Sequence, residues 1–109
     1  MRIDFNDIRE YTIDCQNCGE GTMTVKMFSS PEAKVVPTRI HPGGSIGPHK
    51  QEASVDVNYV LSGTGVAICD GEEEELHEGI CHICPKGSEH SIKNTGETDL
   101  IMLTVVAYK

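Results

Sequence analysis

Four side chains able to hold a cation or move a proton stand at His49, Gln51, Asp56 and His90. Two imidazoles and one carboxylate form the donor set of many Fe(II), Mn(II) and Zn sites, with positions left open for substrate or oxygen. Residues 49 and 51 lie two apart, so on a strand both side chains leave the same face. Asp56 opens the run Val57-Asn58-Tyr59-Val60-Leu61, and alternation sets Asn58 on the face of Asp56 as a candidate pocket residue. His82 shares a strand face with Cys84, as Cys81 does with Ile83, and parity alone leaves open which pair turns inward. His82 is therefore a second pocket candidate, whereas His41 and His77 read as surface or strand-end residues.

The thiols offer other chemistry. Cys15-Gln16-Asn17-Cys18 and Cys81-His82-Ile83-Cys84 are both C-x-x-C pairs. The first, followed by Gly19, suits a turn that brings both sulfurs to one metal or one disulfide, so a redox or zinc role for Cys15 and Cys18 stays open. The second falls on a strand, where residues three apart point to opposite faces and cannot chelate together. Cys69, Cys81 and Cys84 are expected to be small core hydrophobes. Gly43-Gly44-Ser45-Ile46-Gly47 satisfies G-x-S-x-G, but a nucleophile elbow needs a helix after the serine, and Pro48-His49 leads into another strand. A glycine-rich turn is the expected reading.

These residues must be carried by strands. Period-two alternation recurs along the chain and sustained helical periodicity does not, which predicts an all-β domain. Strands are expected near 22–28, 35–41, 55–62, 64–69, 72–77, 80–84, 90–94 and 99–108, enough for a sandwich or barrel. Asp70-Gly71 predicts a type I′ hairpin into the acidic run Glu72 to Glu75, itself expected to be a solvated strand edge.

With 109 residues, one domain spanning 1–109 is expected. Nine Lys and Arg against seventeen Asp and Glu leave a net charge of −8, which disfavours nucleic acid and anionic membrane surfaces. The longest apolar stretch, Leu100 to Tyr108, falls far short of the roughly 20 residues that span a bilayer. The start Met1-Arg2-Ile3-Asp4-Phe5 lacks a secretory pattern, and with five cysteines a reducing, cytoplasmic location is expected. So small a domain gains stability from a metal or a second subunit, so a homo-oligomer is expected.

The spacing goes further. Gly43-x5-His49-x-Gln51-x4-Asp56-x6-Gly63 resembles the first motif of the cupin family, with Gln51 and Asp56 in place of its second His and its Glu. Gly79-x5-Pro85-x-Gly87-x2-His90-x3-Asn94 is similar to the second motif in full, and fifteen residues separate the two. The resemblance covers about residues 38–105. It implies a double-stranded β-helix, a jelly-roll barrel, with residues 1–37 in packing or dimerisation and a homodimer as the assembly. His49, Gln51, Asp56 and His90 would be the ligands of a divalent transition metal, Fe, Mn, Ni or Zn. The resemblance implies chemistry of oxygenase, isomerase, lyase or decarboxylase type on a small polar metabolite. The alternative is a non-catalytic module that binds a sugar or other small molecule in the same pocket, a reading favoured by the altered Gln51 and Asp56.

Overall fold

The computed structural model describes residues 1–108, and among them every regular element except two single 3-10 turns, Phe5–Asp7 and Gln16–Cys18, is a strand. The strands are β1 (Tyr11–Asp14), β2 (Thr22–Val25), β3 (Phe28–Ser29), β4 (Ala33–Ile40), β5 (Ser45–Lys50), β6 (Val55–Ser62), β7 (Gly65–Cys69), β8 (Glu72–Leu76), β9 (Cys81–Cys84), β10 (Glu89–Asn94) and β11 (Leu100–Ala107). They form two antiparallel sheets, one ordered β1-β2-β4-β11-β6-β9 with β3 also on β4, the other β5-β10-β7-β8. Alternation predicts the all-β class, and the two sheets form the jelly-roll barrel that the resemblance implies.

Three local expectations change. The strand expected over 22–28 breaks after Val25, where the Lys26 N–H still reaches the Pro37 carbonyl and the Lys26 ammonium bonds the Phe5 carbonyl, and the pairing with β4 resumes at Phe28–Ser29. Strand β1 and strand β5 lie outside the eight expected spans. Strand β5 contains Gly47 and Pro48, which weaken any strand signal, and it forms because β10 pairs with it. The Asp70-Gly71 hairpin is as expected, with both residues at positive φ (50° and 84°), the conformation a type I′ turn requires.

The inward faces divide along the barrel. Ile40, Val60, Ala67, Leu76, Ile92, Leu100 and Met102 fill one end with aliphatic packing. At the other end the same strands turn polar side chains inward: Thr38 on β4, Asp56 and Asn58 on β6, His82 on β9 and His90 on β10, all buried. A sheet needs only that inward residues occur at every second position, so one strand can serve core and site in succession. On β6, Asp56 and Asn58 face the site and Val60 the core. No helix is long and apolar enough to cross a membrane among the described residues.

Candidate metal centre

Strand β10 pairs with β5 so that His90 lies opposite His49, and Asp56 enters from β6 in the facing sheet. One donor atom from each of His49, Asp56 and His90 lies within 4.8 Å of the others. His90 Nε2 is 3.1 Å from Asp56 Oδ2 and 3.2 Å from His49 Nε2. Two donors bound at about 2.1 Å and at right angles to each other would stand about 3 Å apart, so this spacing suits neighbouring ligands of one metal ion.

The hydrogen bonds behind the ligands decide what their front atoms carry. His49 Nδ1 lies 3.0 Å from the Gly47 carbonyl, which can only accept, so Nδ1 bears the hydrogen and Nε2 a lone pair. The Asn17 amide is 3.2 Å from the same Nδ1, and a half-turn of that amide brings its oxygen to share the N–H. His90 Nδ1 is 3.0 Å from His82 Nε2, and His82 Nδ1 is 2.8 Å from Glu74 Oε1. Both histidines thus turn Nε2 toward the Asp56 carboxylate. Lone pairs so placed repel one another unless a cation sits among them. A proton on His90 Nε2 is the smallest such cation. Burial pushes the Asp56 carboxyl up, but hydrogen bonds from His90, Gln51 and Asn58, together with the His90 charge, outweigh it and leave the group below its ordinary value. A divalent ion answers the same need with three bonds instead of one, so the donors fit a transition metal.

Asp56 is held in turn. Asn58 Nδ2 donates to Asp56 Oδ2 (3.3 Å), and Thr104 Oγ1 donates to Asn58 Oδ1 (2.8 Å). The Thr38 hydroxyl lies 3.0 Å from that of Thr104, which continues the network across β6, β11 and β4. A carboxylate cannot donate, so this network also fixes which way the buried Asn58 amide points. Gln51 follows β5 and presents its amide nitrogen 3.5 Å from His90 Nε2, with Oε1 toward Ser54.

A cavity of about 320 Å³ opens above the cluster, lined by His49, Gln51, Asp56 and Asn58 and by Lys34 and Asn17 among others. His90 and His82 are sealed behind it. His82 thus stands one residue removed from the cavity, as the support of His90. Sequence reasoning treats Glu74 as part of a solvated edge, yet it shares the inward face of β8 with buried Leu76, two positions on. That parity was the available signal, hidden because the alternate positions are also glutamates.

The thiols take different places. Cys84 is buried and Cys69 half-buried, as small core residues, but Cys81 is exposed, contrary to expectation, because β9 turns His82 and Cys84 inward and its odd positions outward. Burial first, then neighbouring Cys69 and the acidic side chains, pushes the Cys84 thiol up to about 12, so it remains a poor ligand beside Asp56. Cys15 and Cys18 are exposed and unpaired on the turn at 16–18, and neither belongs to the donor cluster. Ser45 accepts the Glu20 N–H (2.9 Å) and starts β5, so the G-x-S-x-G stretch is the turn into a strand.

Residues 38–106 match the family described as Cupin domain. The chain is 31% identical over 112 residues to an oxalate-binding protein of Thermotoga maritima, covering 97% of this chain and 93% of that protein. Its fold is similar to the crystal structure of a predicted oxalate decarboxylase from Thermotoga maritima, with a TM-score of 0.92, 29% identity and full coverage of both chains. It is also similar in fold to the cupin domain of Cnp3 from Schizosaccharomyces pombe, with a TM-score of 0.80 at 13% identity, covering 97% of this chain and 72% of that one.

Proposed function

Because this chain belongs to the cupin family, with the match spanning residues 38–106, we propose that its barrel is a metal-dependent binder of small carboxylates, oxalate being the first to test. The observation that carries this reading is the convergence of His49, Asp56 and His90 donor atoms within 4.8 Å, with lone pairs that call for a cation. These three would hold a divalent transition metal. Gln51 is the fourth member, as a ligand through its amide oxygen after a half-turn, or as an N–H donor to a bound carboxylate in the orientation described above. A metal so held supplies a positive centre with open positions for carboxylate oxygens. Lys34, among the described residues the only Lys or Arg along the cavity, offers a charge to the far end of a dianion. The resemblance to an oxalate-binding protein supports the same ligand class.

Binding is favoured over turnover by the titratable groups at hand. Decarboxylation needs a positioned acid to deliver a proton, and among the described residues Asp56 is the only carboxyl lining the cavity. As a metal ligand Asp56 has no proton to give. The test is calorimetric titration of metal-free protein with Mn²⁺, then with oxalate in the presence and absence of Mn²⁺. About one Mn²⁺ per chain, and oxalate binding that requires it, are expected. Oxalate binding indifferent to the metal would overturn the reading, and release of CO₂ or formate would replace it with decarboxylation.

The homodimer belongs to the same proposal. Tyr59, Leu61, Ile83 and Leu103 are exposed on the outer face of the larger sheet, and Tyr59 stands directly opposite Leu103. An apolar face of this kind is covered in a stable protein, and a second copy of the same face is self-complementary. The N-terminal residues 1–37 extend this sheet through β1 and β2, consistent with a role in packing or dimerisation. Light scattering is expected to return twice the 11.9 kDa chain mass, and Leu103→Asp to return the monomer. A wild-type monomer would rule the dimer out.

A further inference from the structure

We infer that Glu74 and His82 are positioning residues for the site, an oriented hydrogen-bond chain that holds His90 in the one tautomer able to ligate a metal. This rests on the metal-binding reading above and assigns work to two residues outside the donor cluster.

Glu74 sits in the middle of β8, the edge strand of the smaller sheet, and His82 on β9, the edge strand of the larger. Glu74 pairs across the ladder with Ala67, which is fully buried and ends at a methyl group. The space over that methyl lets the Glu74 side chain lean inward and meet His82, so this bond ties the two sheets together where they meet. His82 is completely buried, and its ring stacks on His90 with centroids 5.2 Å apart and planes 25° from parallel. Both of its nitrogens are engaged, Nδ1 with Glu74 Oε1 at 2.8 Å and Nε2 with His90 Nδ1 at 3.0 Å.

The acceptor at the end of this chain sets the direction of every bond in it. A carboxylate accepts and does not donate, so His82 Nδ1 carries the hydrogen. In the neutral ring His82 Nε2 is then a lone pair, and it can be satisfied only by an N–H from His90 Nδ1. His90 Nε2 is left to face Asp56 and His49, free to take a metal or, in the metal-free protein, the proton it shares with Asp56. Reversing either ring would set two lone pairs or two hydrogens against each other between buried side chains. Ligating histidines commonly donate their second N–H to a carboxylate or carbonyl, which fixes ring and tautomer. His49 uses the Gly47 carbonyl for this, two positions back along the same strand, whereas His90 reaches an acidic group through a second histidine. The Glu74 side chain is 44% exposed, so the chain begins in solvent and ends in the site.

The deciding experiment uses Glu74→Ala, Glu74→Gln and Glu73→Ala. Glu74 is exposed enough for its loss to leave the fold intact, and Glu73, its outward-facing neighbour, controls for the removal of one negative charge from the acidic run. Long-range ¹H–¹⁵N spectra of the metal-free protein, with the five histidines assigned, are expected to show His90 protonated at Nδ1 in the wild type. In Glu74→Ala part of the population is expected to lose that Nδ1 proton, as His82 turns to donate from Nε2. Mn²⁺ affinity is expected to fall about 10–100-fold in Glu74→Ala, to recover substantially in Glu74→Gln, whose amide oxygen can accept the same bond, and to hold in Glu73→Ala. A wild-type His90 without a proton on Nδ1, or Glu74→Ala and Glu73→Ala variants with equal affinities, would overturn the inference. Failure of the wild type to bind Mn²⁺ would instead defeat the metal reading, while the tautomer spectra still decide the role of Glu74.

Discussion

His90→Ala is expected to abolish metal binding and to destabilise the metal-free protein by about 3–5 kcal/mol, the range for removing one partner of a buried ion pair. His90 is 1% exposed and touches His82, His49, Gln51 and Asp56. Its removal leaves His82 Nε2 without a donor and the Asp56 carboxylate without its cationic neighbour. His49→Ala should also lose the metal but keep most of the stability, because His49 is only partly buried at the cavity mouth. Elemental analysis and urea denaturation of the two variants separate ligation from structure. The pH dependence supplies a sign. In the wild type the Asp56 carboxyl lies below its unfolded value despite burial, so its stabilisation is present above the ordinary carboxylate range and lost as pH falls through the folded value. Without His90 the main lowering interaction is gone and the burial remains, so the Asp56 pKa rises. The deficit of His90→Ala should therefore shrink between neutral and acidic pH, and a deficit that widened on acidification would refute the role given to this pair.

Gly47→Ala is expected to cost about 1–3 kcal/mol by overpacking and to detach the turn at 15–19 from the site. A Cβ on Gly47 would overlap the Asn17 carbonyl oxygen and stand 2.8 Å from the Gly19 nitrogen, and neither backbone atom can rotate aside as a side chain would. The turn is held against β5 by the Ser45 N–H to the Glu20 carbonyl (2.8 Å) and the Glu20 N–H to Ser45 Oγ (2.9 Å). It also carries three non-glycine residues in the left-handed region, Cys15, Asn17 and Cys18, at φ of 51°, 53° and 63°. Such residues cost about 1–2 kcal/mol each, so the turn, closed by its own Cys18 and Gly19 N–H bonds, depends on its contact with β5 to offset that cost. Once lifted, Gln16 and Asn17 leave the cavity wall and Asn17 leaves His49. Faster hydrogen exchange over residues 15–20 and weaker oxalate binding are the expected readouts. Gly43→Ala is the control, since its Cβ meets nothing within 4 Å, although its φ of +80° adds a backbone penalty that Gly47 does not carry. Equal exchange in the two variants would show that the close approach does not hold the turn.

Much of this architecture is legible before any coordinates. Alternation marks the strands that carry Asp56, Asn58 and His90, the Asp-Gly pair marks its hairpin, and the two spaced motifs single out the residues whose donor atoms converge. Those signals are local: each depends on residues a few positions apart, which the chain itself orders. What only the tertiary structure decided are the matters that alternation leaves symmetric. Parity separates Cys81 from Cys84 and Glu73 from Glu74, but only the opposing sheet says which member is inside. It places His82 behind His90, draws Glu74 out of an acidic run into the barrel, and sets Cys81 in solvent. It also makes β5 a strand in spite of its glycine and proline, by pairing with β10, and seats the Cys15–Cys18 turn against it. The physical reason is the same in each case: an inward face is defined by what packs against it, and here that partner lies in the other sheet or in a distant part of the chain.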